Sequence, residues 1–210
     1  MLLNIALINF SPKGNSSNSK FFIDYMKNSF SPQASVVELK INTCGKELDL
    51  QTLSSCETWV FFYPLYVDGL PSHMLDYISR LEKTSEISSG KKIYAVTSCG
   101  FHEGLQTCIS LEILANWCAA SGAEWCGAVG IGASGCFHFF EKYHVESGPR
   151  IPVNRALEVL AFNVENGVSQ CNNYVTVALP KRLYKLAAEI FWRKDIVSNG
   201  KKIKDLSRQL

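Results

Sequence analysis

The run Leu2-Leu3-Asn4-Ile5-Ala6-Leu7-Ile8-Asn9-Phe10 passes directly into Ser11-Pro12-Lys13-Gly14-Asn15-Ser16-Ser17-Asn18-Ser19, and an amphipathic stretch begins near Lys20. Leu3, Ile5, Leu7 and Ile8 read as a buried strand, which Pro12 and Gly14 end, and the serines and asparagines suit the cap of a following helix. A helix start gathers unpaired N–H groups and the positive end of the helix dipole. Hydroxyls, amides and a lysine placed there suit a phosphate dianion. The stretch is therefore either a phosphate loop or a serine-rich helix cap and nothing more.

Working outward, the same alternation repeats. Phe21, Phe22, Tyr25, Met26 and Phe30 recur at helical spacing up to Ser31-Pro32, and Ala34 to Leu39 reads as a strand. Leu48 to Cys56 is a brief crossover, Thr58 to Tyr63 a strongly apolar strand, and a helix starting at Pro71 carries Met74, Leu75, Ile78 and Leu81 on one face. Ile93 to Thr97 forms the next strand. A helix over about 103–121 is expected to bury Leu105, Ile109, Ile113 and Trp117, with Gly122 as its C-cap. Ala123 to Ile131 is the fifth strand, and Pro152 starts a helix through about Val168. Pro180 starts the last helix, with Leu183, Leu186, Ala187 and Ile190 expected inward. Between these two helices Tyr174 to Leu179 is extended and either pairs or does not.

Near-continuous apolar strands alternating with helices indicate a parallel sheet covered on both faces. Right-handed crossovers and five strands suit the doubly wound order 2-1-3-4-5. The expectation is one α/β domain over residues 1–210, with a core of about 1–170 and a C-terminal helical extension of about 171–210. Ligands of such sheets bind beyond the carboxyl ends of the strands, at the switch point. That places three loops together: Ser11 to Ser19, Pro64 to Gly69, and Ser98 to Gly104. In the second, Tyr66 either presses on a flat ligand or packs on a neighbouring loop. In the third, Gly100 lets the backbone come close, and His102 and Glu103 are the acid/base candidates.

Composition sets the outer limits. Of 210 residues, 47% are hydrophobic and 19% charged, which fits a globular chain. No apolar run reaches the 18 or more residues of a membrane span, and the first residues lack a secretory pattern, so the reading is a cytoplasmic protein with no membrane span. A net charge of +2 is too small to argue for nucleic acid. Nine Lys or Arg face three acids within 180–210, which reads as a solvated face or, alternatively, an anion-binding or membrane-surface helix. Eight cysteines show neither Cys-x-x-Cys nor Cys/His groups of zinc spacing, so no metal site is assigned and most cysteines read as small core residues.

Gly130-Ile131-Gly132-Ala133-Ser134-Gly135 fits a dinucleotide fingerprint, but it follows the fifth strand instead of the first and lacks a clear helix start, so it reads as a strand exit. Residues 132–150, with Phe137, Phe139, Phe140 and Tyr143, form either a lid or subunit contact over the site or a cluster packed under the C-terminal extension.

Taken together, Ser11-Pro12-Lys13 with Ser17-Asn18-Ser19, Pro64-Leu65-Tyr66-Val67 with Leu70-Pro71, and Ser98-Cys99-Gly100-Phe101-His102-Glu103-Gly104 resemble the flavodoxin-like NAD(P)H-dependent FMN reductases, including the NAD(P)H:quinone reductases. The resemblance covers about residues 1–132 and implies a flavodoxin-like three-layer sandwich. It implies an FMN whose phosphate meets Ser11, Lys13, Ser17, Asn18 and Ser19. The flavin ring would lie against Pro64, Leu65, Tyr66, Ser98, Cys99, Gly100 and Phe101, with NAD(P)H as electron donor, a quinone, flavin or other small molecule as acceptor, and a homodimer as the assembly. The sequence departs from the family in its nine-residue first loop and its long C-terminal extension. A flavodoxin-type electron carrier and a flavin-free binding module are the alternatives on the same fold.

Overall fold

The structure, a computed structural model, describes residues 4–47, 49–84, 87, 90–140 and 148–207. Six strands, β1 (Asn4–Asn9), β2 (Ser35–Lys40), β3 (Thr58–Pro64), β4 (Lys92–Ser98), β5 (Glu124–Gly132) and β6 (Asn173–Thr176), form one sheet of order β2-β1-β3-β4-β5-β6. Every pairing is parallel. The sheet has one strand more than expected, because Asn173–Thr176 pairs with Val129–Gly132. Without it the buried end of β5 would be an open edge, and four residues suffice to cover it.

The helices are α1 (Asn18–Ser29), α2 (Leu50–Ser54), α3 (Ser72–Leu81), α4 (Cys108–Ser121), α5 (Ile151–Asn166) and α6 (Lys181–Ser198). Successive strand residues point to opposite faces, and both faces are covered. Ile5, Leu7, Val60 and Phe62 pack with Phe22, Met26, Leu157 and Leu160 from α1 and α5. Ala6, Ile8, Trp59 and Phe61 pack with Met74, Tyr77, Leu114 and Trp117 from α3 and α4. Each such side chain gains about 1.5–3 kcal/mol on burial, so a strand buried on both faces is apolar at every position, not at alternate ones.

Two helix faces differ from expectation. In α4 the buried residues are Ser110, Leu111, Leu114, Trp117 and Cys118, whereas Leu105, Ile109 and Ile113 are exposed; only Trp117 lies where expected. Residues Gly104–Thr107 form a tighter 3-10 turn that shifts the phase of the helix, and α4 is apolar nearly all round, so periodicity does not select its face. In α6 no residue is fully buried. Leu183, Leu186 and Ile190 are exposed, while Tyr184, Ala187 and Ala188 are half-buried against the body. Aromatic contacts decide that docking: the Phe191 ring stacks on Phe139 with centroids 4.6 Å apart.

The segment after β5 continues as a 3-10 helix over Ser134–Phe140. Phe137 is buried between Phe21 and Phe22, and Phe140 packs against the same core. Of the two readings of 132–150, Phe139, stacked on Phe191 of α6, follows the packing one, whereas Phe137 packs on α1 instead; residues 141–147, Tyr143 included, lie outside the described residues. Among the described residues, no helix is long and apolar enough to cross a membrane.

Candidate functional site

The chain leaves β1 toward β2 on one side and reaches β3 on the other, so the loops after β1 and β3 part and open a cleft at the carboxyl edge of the sheet. The cleft has a volume of about 740 Å³. Its walls come from the three loops named above and from the turn after β5.

The first loop is built from its own polar groups. Asn9, buried at the end of β1, accepts the Ser11 amide on Oδ1 at 2.9 Å, and buried His73 holds the Phe10 carbonyl through Nε2 at 2.8 Å. Gly14 adopts φ +56°, and the Lys40 side chain fills the space a Cβ there would need. The Ser17 hydroxyl donates to the Gly14 carbonyl at 2.6 Å and accepts the Lys20 amide at 3.1 Å, capping α1. Asn18 Nδ2 donates to the Ser134 carbonyl at 2.7 Å. Ser17 and Asn18 thus spend side-chain donors on the frame of the loop.

Other groups remain available. The hydroxyls of Ser11 and Ser19, both nearly buried, line the cleft and make no hydrogen bond among the described residues. Helix geometry leaves the Asn18 and Ser19 amides without an intrahelical acceptor. Lys13 is exposed at the rim and makes no ion pair among the described residues. Lys20 is different: Asp24 at 2.7 Å and Glu38 at 2.9 Å neutralise it, and the hydrogen bond to Asp24 is the main reason its pKa is raised.

The other end of the cleft, at Pro64, Leu65, Tyr66, Ser98, Cys99 and Gly100, carries no charged side chain. The Leu65 amide donates to the Ser98 carbonyl at 2.8 Å, tying the second loop to the third. Tyr66 and Gly69 bridge across Val67 and Asp68, which take φ values of +48° and +57°, a primed turn. A β-branched residue rarely adopts that conformation, and Val67 is fully exposed at the tip. Tyr66 is half exposed and lines the cleft. Ser98 and Cys99 are buried, and burial pushes the Cys99 thiol pKa up, so it stays neutral. Ser134 donates its amide (3.0 Å) and its hydroxyl (2.8 Å) to the Cys99 carbonyl. Gly100 has open space where a side chain would stand, and its carbonyl accepts from the Tyr184 hydroxyl.

Of the residues expected at the cofactor, Ser11, Lys13, Ser17, Asn18, Ser19, Pro64, Leu65, Tyr66, Ser98, Cys99 and Gly100 line this one cleft. Phe101 is exposed and does not. His102 and Glu103 do not line it either. His102 Nε2 donates to the Leu179 carbonyl at 2.8 Å, which fixes its tautomer, and Glu103 pairs with Lys181, whose hydrogen bond lowers its carboxyl pKa. Both acid/base candidates are therefore ties to the C-terminal segment.

Sequence reasoning named none of Ser134, Gly135 and Phe137 among the cofactor residues, although one of its two readings set residues 132–150 over the site, and it missed Lys20, Phe21 and Asp24. The signal for Ser134 and Gly135 lay in the glycine-rich exit of β5. Gly130 and Gly132 sit within that strand, and a Cβ on them would overlap the Thr107 hydroxyl and the His102 carbonyl. Close strand-to-loop packing accounts for the fingerprint-like spacing.

No protein-family model matches the chain, and no curated protein matches it. Solved structures do. An NADPH-quinone reductase from P.pentosaceus aligns at 12% identity and TM-score 0.57, over 80% of this chain and 100% of that one. An FMN-dependent NADH-azoreductase from Bacillus anthracis, solved in complex with FMN, aligns at 17% identity and TM-score 0.55, over 78% and 100%. A flavodoxin from Streptococcus pneumonia aligns at 18% identity and TM-score 0.55, over 78% and 99%. These neighbours carry the names of the family that the three loops resemble, and at such identities the likeness is one of fold: the chain has the flavodoxin-like fold, extended by a sixth strand and a C-terminal helix.

Proposed function

We propose that the protein is an FMN-dependent oxidoreductase that passes hydride or electrons from NAD(P)H to a quinone, a flavin or another small acceptor. The observation that carries this reading is one cleft of about 740 Å³, lined by hydroxyls, amides and Lys13 of the first loop at one end and by Pro64–Tyr66 and Ser98–Gly100 at the other. The hydroxyls of Ser11, just after β1, and of Ser19, in the first turn of α1, make no hydrogen bond among the described residues and suit a phosphate, whose oxygens accept from such donors. When bound, FMN supplies the redox chemistry, and the protein supplies position and dryness. Ser11, Ser19, the Asn18 and Ser19 amides and Lys13 would hold the phosphate. Leu65, Tyr66 and Gly100 would bound the ring, with the neutral Cys99 thiol adding no charge beside it. His102 and Glu103 take no part in proton transfer in this reading.

Two of the structural neighbours are named as reductases of the NAD(P)H type, which supports the donor. The slightly basic net charge of +2 favours a reductase over an electron carrier, since carriers that dock on basic partners profit from acidic surfaces. Protein loaded with FMN is expected to lose its yellow colour under NADH or NADPH without air. Retention of the oxidised flavin spectrum with both donors would contradict the reductase reading.

The assembly belongs to the same proposal. Leu105 of the 3-10 turn and Ile109 and Ile113 of α4 are exposed apolar residues at helical spacing, which supports a homodimer. Sedimentation velocity of the wild type should give a dimer and Ile109→Glu a monomer; a monomeric wild type refutes this part.

A further inference from the structure

Helix α6 has two unlike sides. Tyr184, Ala187 and Phe191 face the body, where the Tyr184 hydroxyl reaches the Gly100 carbonyl, Phe191 stacks on Phe139, and Lys181 pairs with Glu103. A second, exposed side about a third of a turn away carries Leu183, Leu186, Ile190 and Val197, between 53% and 58% exposed. Their spacings of three, four and seven residues put them on one stripe, ~21 Å long at the rise of a helix. Arg182 and Arg193 border the stripe on one edge and Lys194 on the other, by the same helical spacing. Glu189, the acid nearest the stripe, lies 3.8 Å from Arg193 as an i,i+4 pair.

An aliphatic stripe with cationic edges narrows the possible occupants. A second copy on this face would set Arg182, Arg193 and Lys194 against their own equivalents, a like-charge arrangement that costs association. A nucleic acid would match the cations and leave the aliphatic stripe in water. An anionic bilayer matches both at once: apolar residues enter the boundary between headgroups and acyl chains, and the long basic side chains reach back to the headgroups.

We infer that α6 is a membrane-surface helix, which lays its Leu183, Leu186, Ile190 and Val197 stripe into the interface of a bilayer rich in anionic lipid, with Arg182, Arg193 and Lys194 at the headgroups. The helix lies on the membrane and does not span it. Its tie to Gly100 and Glu103 sets the open side of the third loop near that surface. The inference stands independently of the flavin reading, because none of the stripe and edge residues Leu183, Leu186, Ile190, Val197, Arg182, Arg193 and Lys194 lines the cleft.

The test is co-sedimentation of the full-length protein with vesicles of phosphatidylglycerol and phosphatidylcholine in equal parts, against phosphatidylcholine alone, at low and high salt. The full chain is expected to bind the anionic vesicles roughly tenfold more tightly than the neutral ones and to be released by salt. The double variant Leu186→Asp/Ile190→Asp should lose roughly tenfold in binding while keeping its urea midpoint, since both residues are exposed. Absence of binding to anionic vesicles overturns the inference. So does equal binding by the double variant with its fold intact, and so does a stripe that holds two copies together, seen as a wild-type dimer that the double variant splits without change in vesicle binding.

Discussion

Single residues carry the chemistry of the cleft, and two of them make sharp tests. Lys13 stands at the rim and makes no ion pair among the described residues, unlike Lys20 seven residues on, which Asp24 and Glu38 hold. Lys13→Ala is expected to weaken FMN binding about fivefold at low ionic strength, roughly 1 kcal/mol for an exposed charge pair, and less as salt rises. Flavin fluorescence titration reads the change, and an unaltered affinity at low salt would place the phosphate elsewhere. Gly132 works by what it lacks. Its conformation is an ordinary strand one, so the cost of a side chain is steric: a methyl there meets the His102 carbonyl and the Gly104 amide. Gly132→Ala should cost about 1–3 kcal/mol in urea unfolding, as overpacking against backbone does. An unchanged midpoint would show that the third loop does not rest on β5 as described.

At the scale of elements, legibility followed locality. The strand, loop and helix at residues 4–29 were readable because a buried strand, a Gly14 turn and a Ser17 cap are local devices, each set by neighbours within a few residues. The buried face of α4 was not readable, because a helix apolar nearly all round lets the partner surface choose, and the 3-10 turn at Gly104–Thr107 moved the phase. The face of α6 was decided by Phe139 and Gly100, far away in sequence. One tie of that helix is ionic and carries a pH dependence. Lys181 lowers the Glu103 carboxyl below its usual value near 4.5, so the stability it contributes is present above that value and is lost as pH falls through the lowered one. The melting temperature of the wild type should therefore exceed that of Glu103→Gln at neutral pH, with a gap that closes below about pH 4.5. A gap that persists in acid would mean that Glu103 acts through packing instead.

Across the whole molecule, the order of strands and the meeting of three loops were legible, since parallel strands and right-handed crossovers leave few arrangements. The sixth strand was half legible: Tyr174 to Leu179 read as extended, but pairing depends on an edge of β5 that the local sequence does not describe. The fourth wall of the cleft was hidden for a related reason. Ser134 enters it through a bond from Asn18, 116 residues away, a distance over which no local pattern reports. The central claim is that this cleft holds FMN, and a titration of flavin-free protein with FMN, followed by quenching of flavin fluorescence, tests it most directly. One FMN per chain with micromolar or tighter affinity, and weaker binding of riboflavin, which lacks the phosphate, is the expected result. Absence of binding, or equal affinity for riboflavin and FMN, would contradict it.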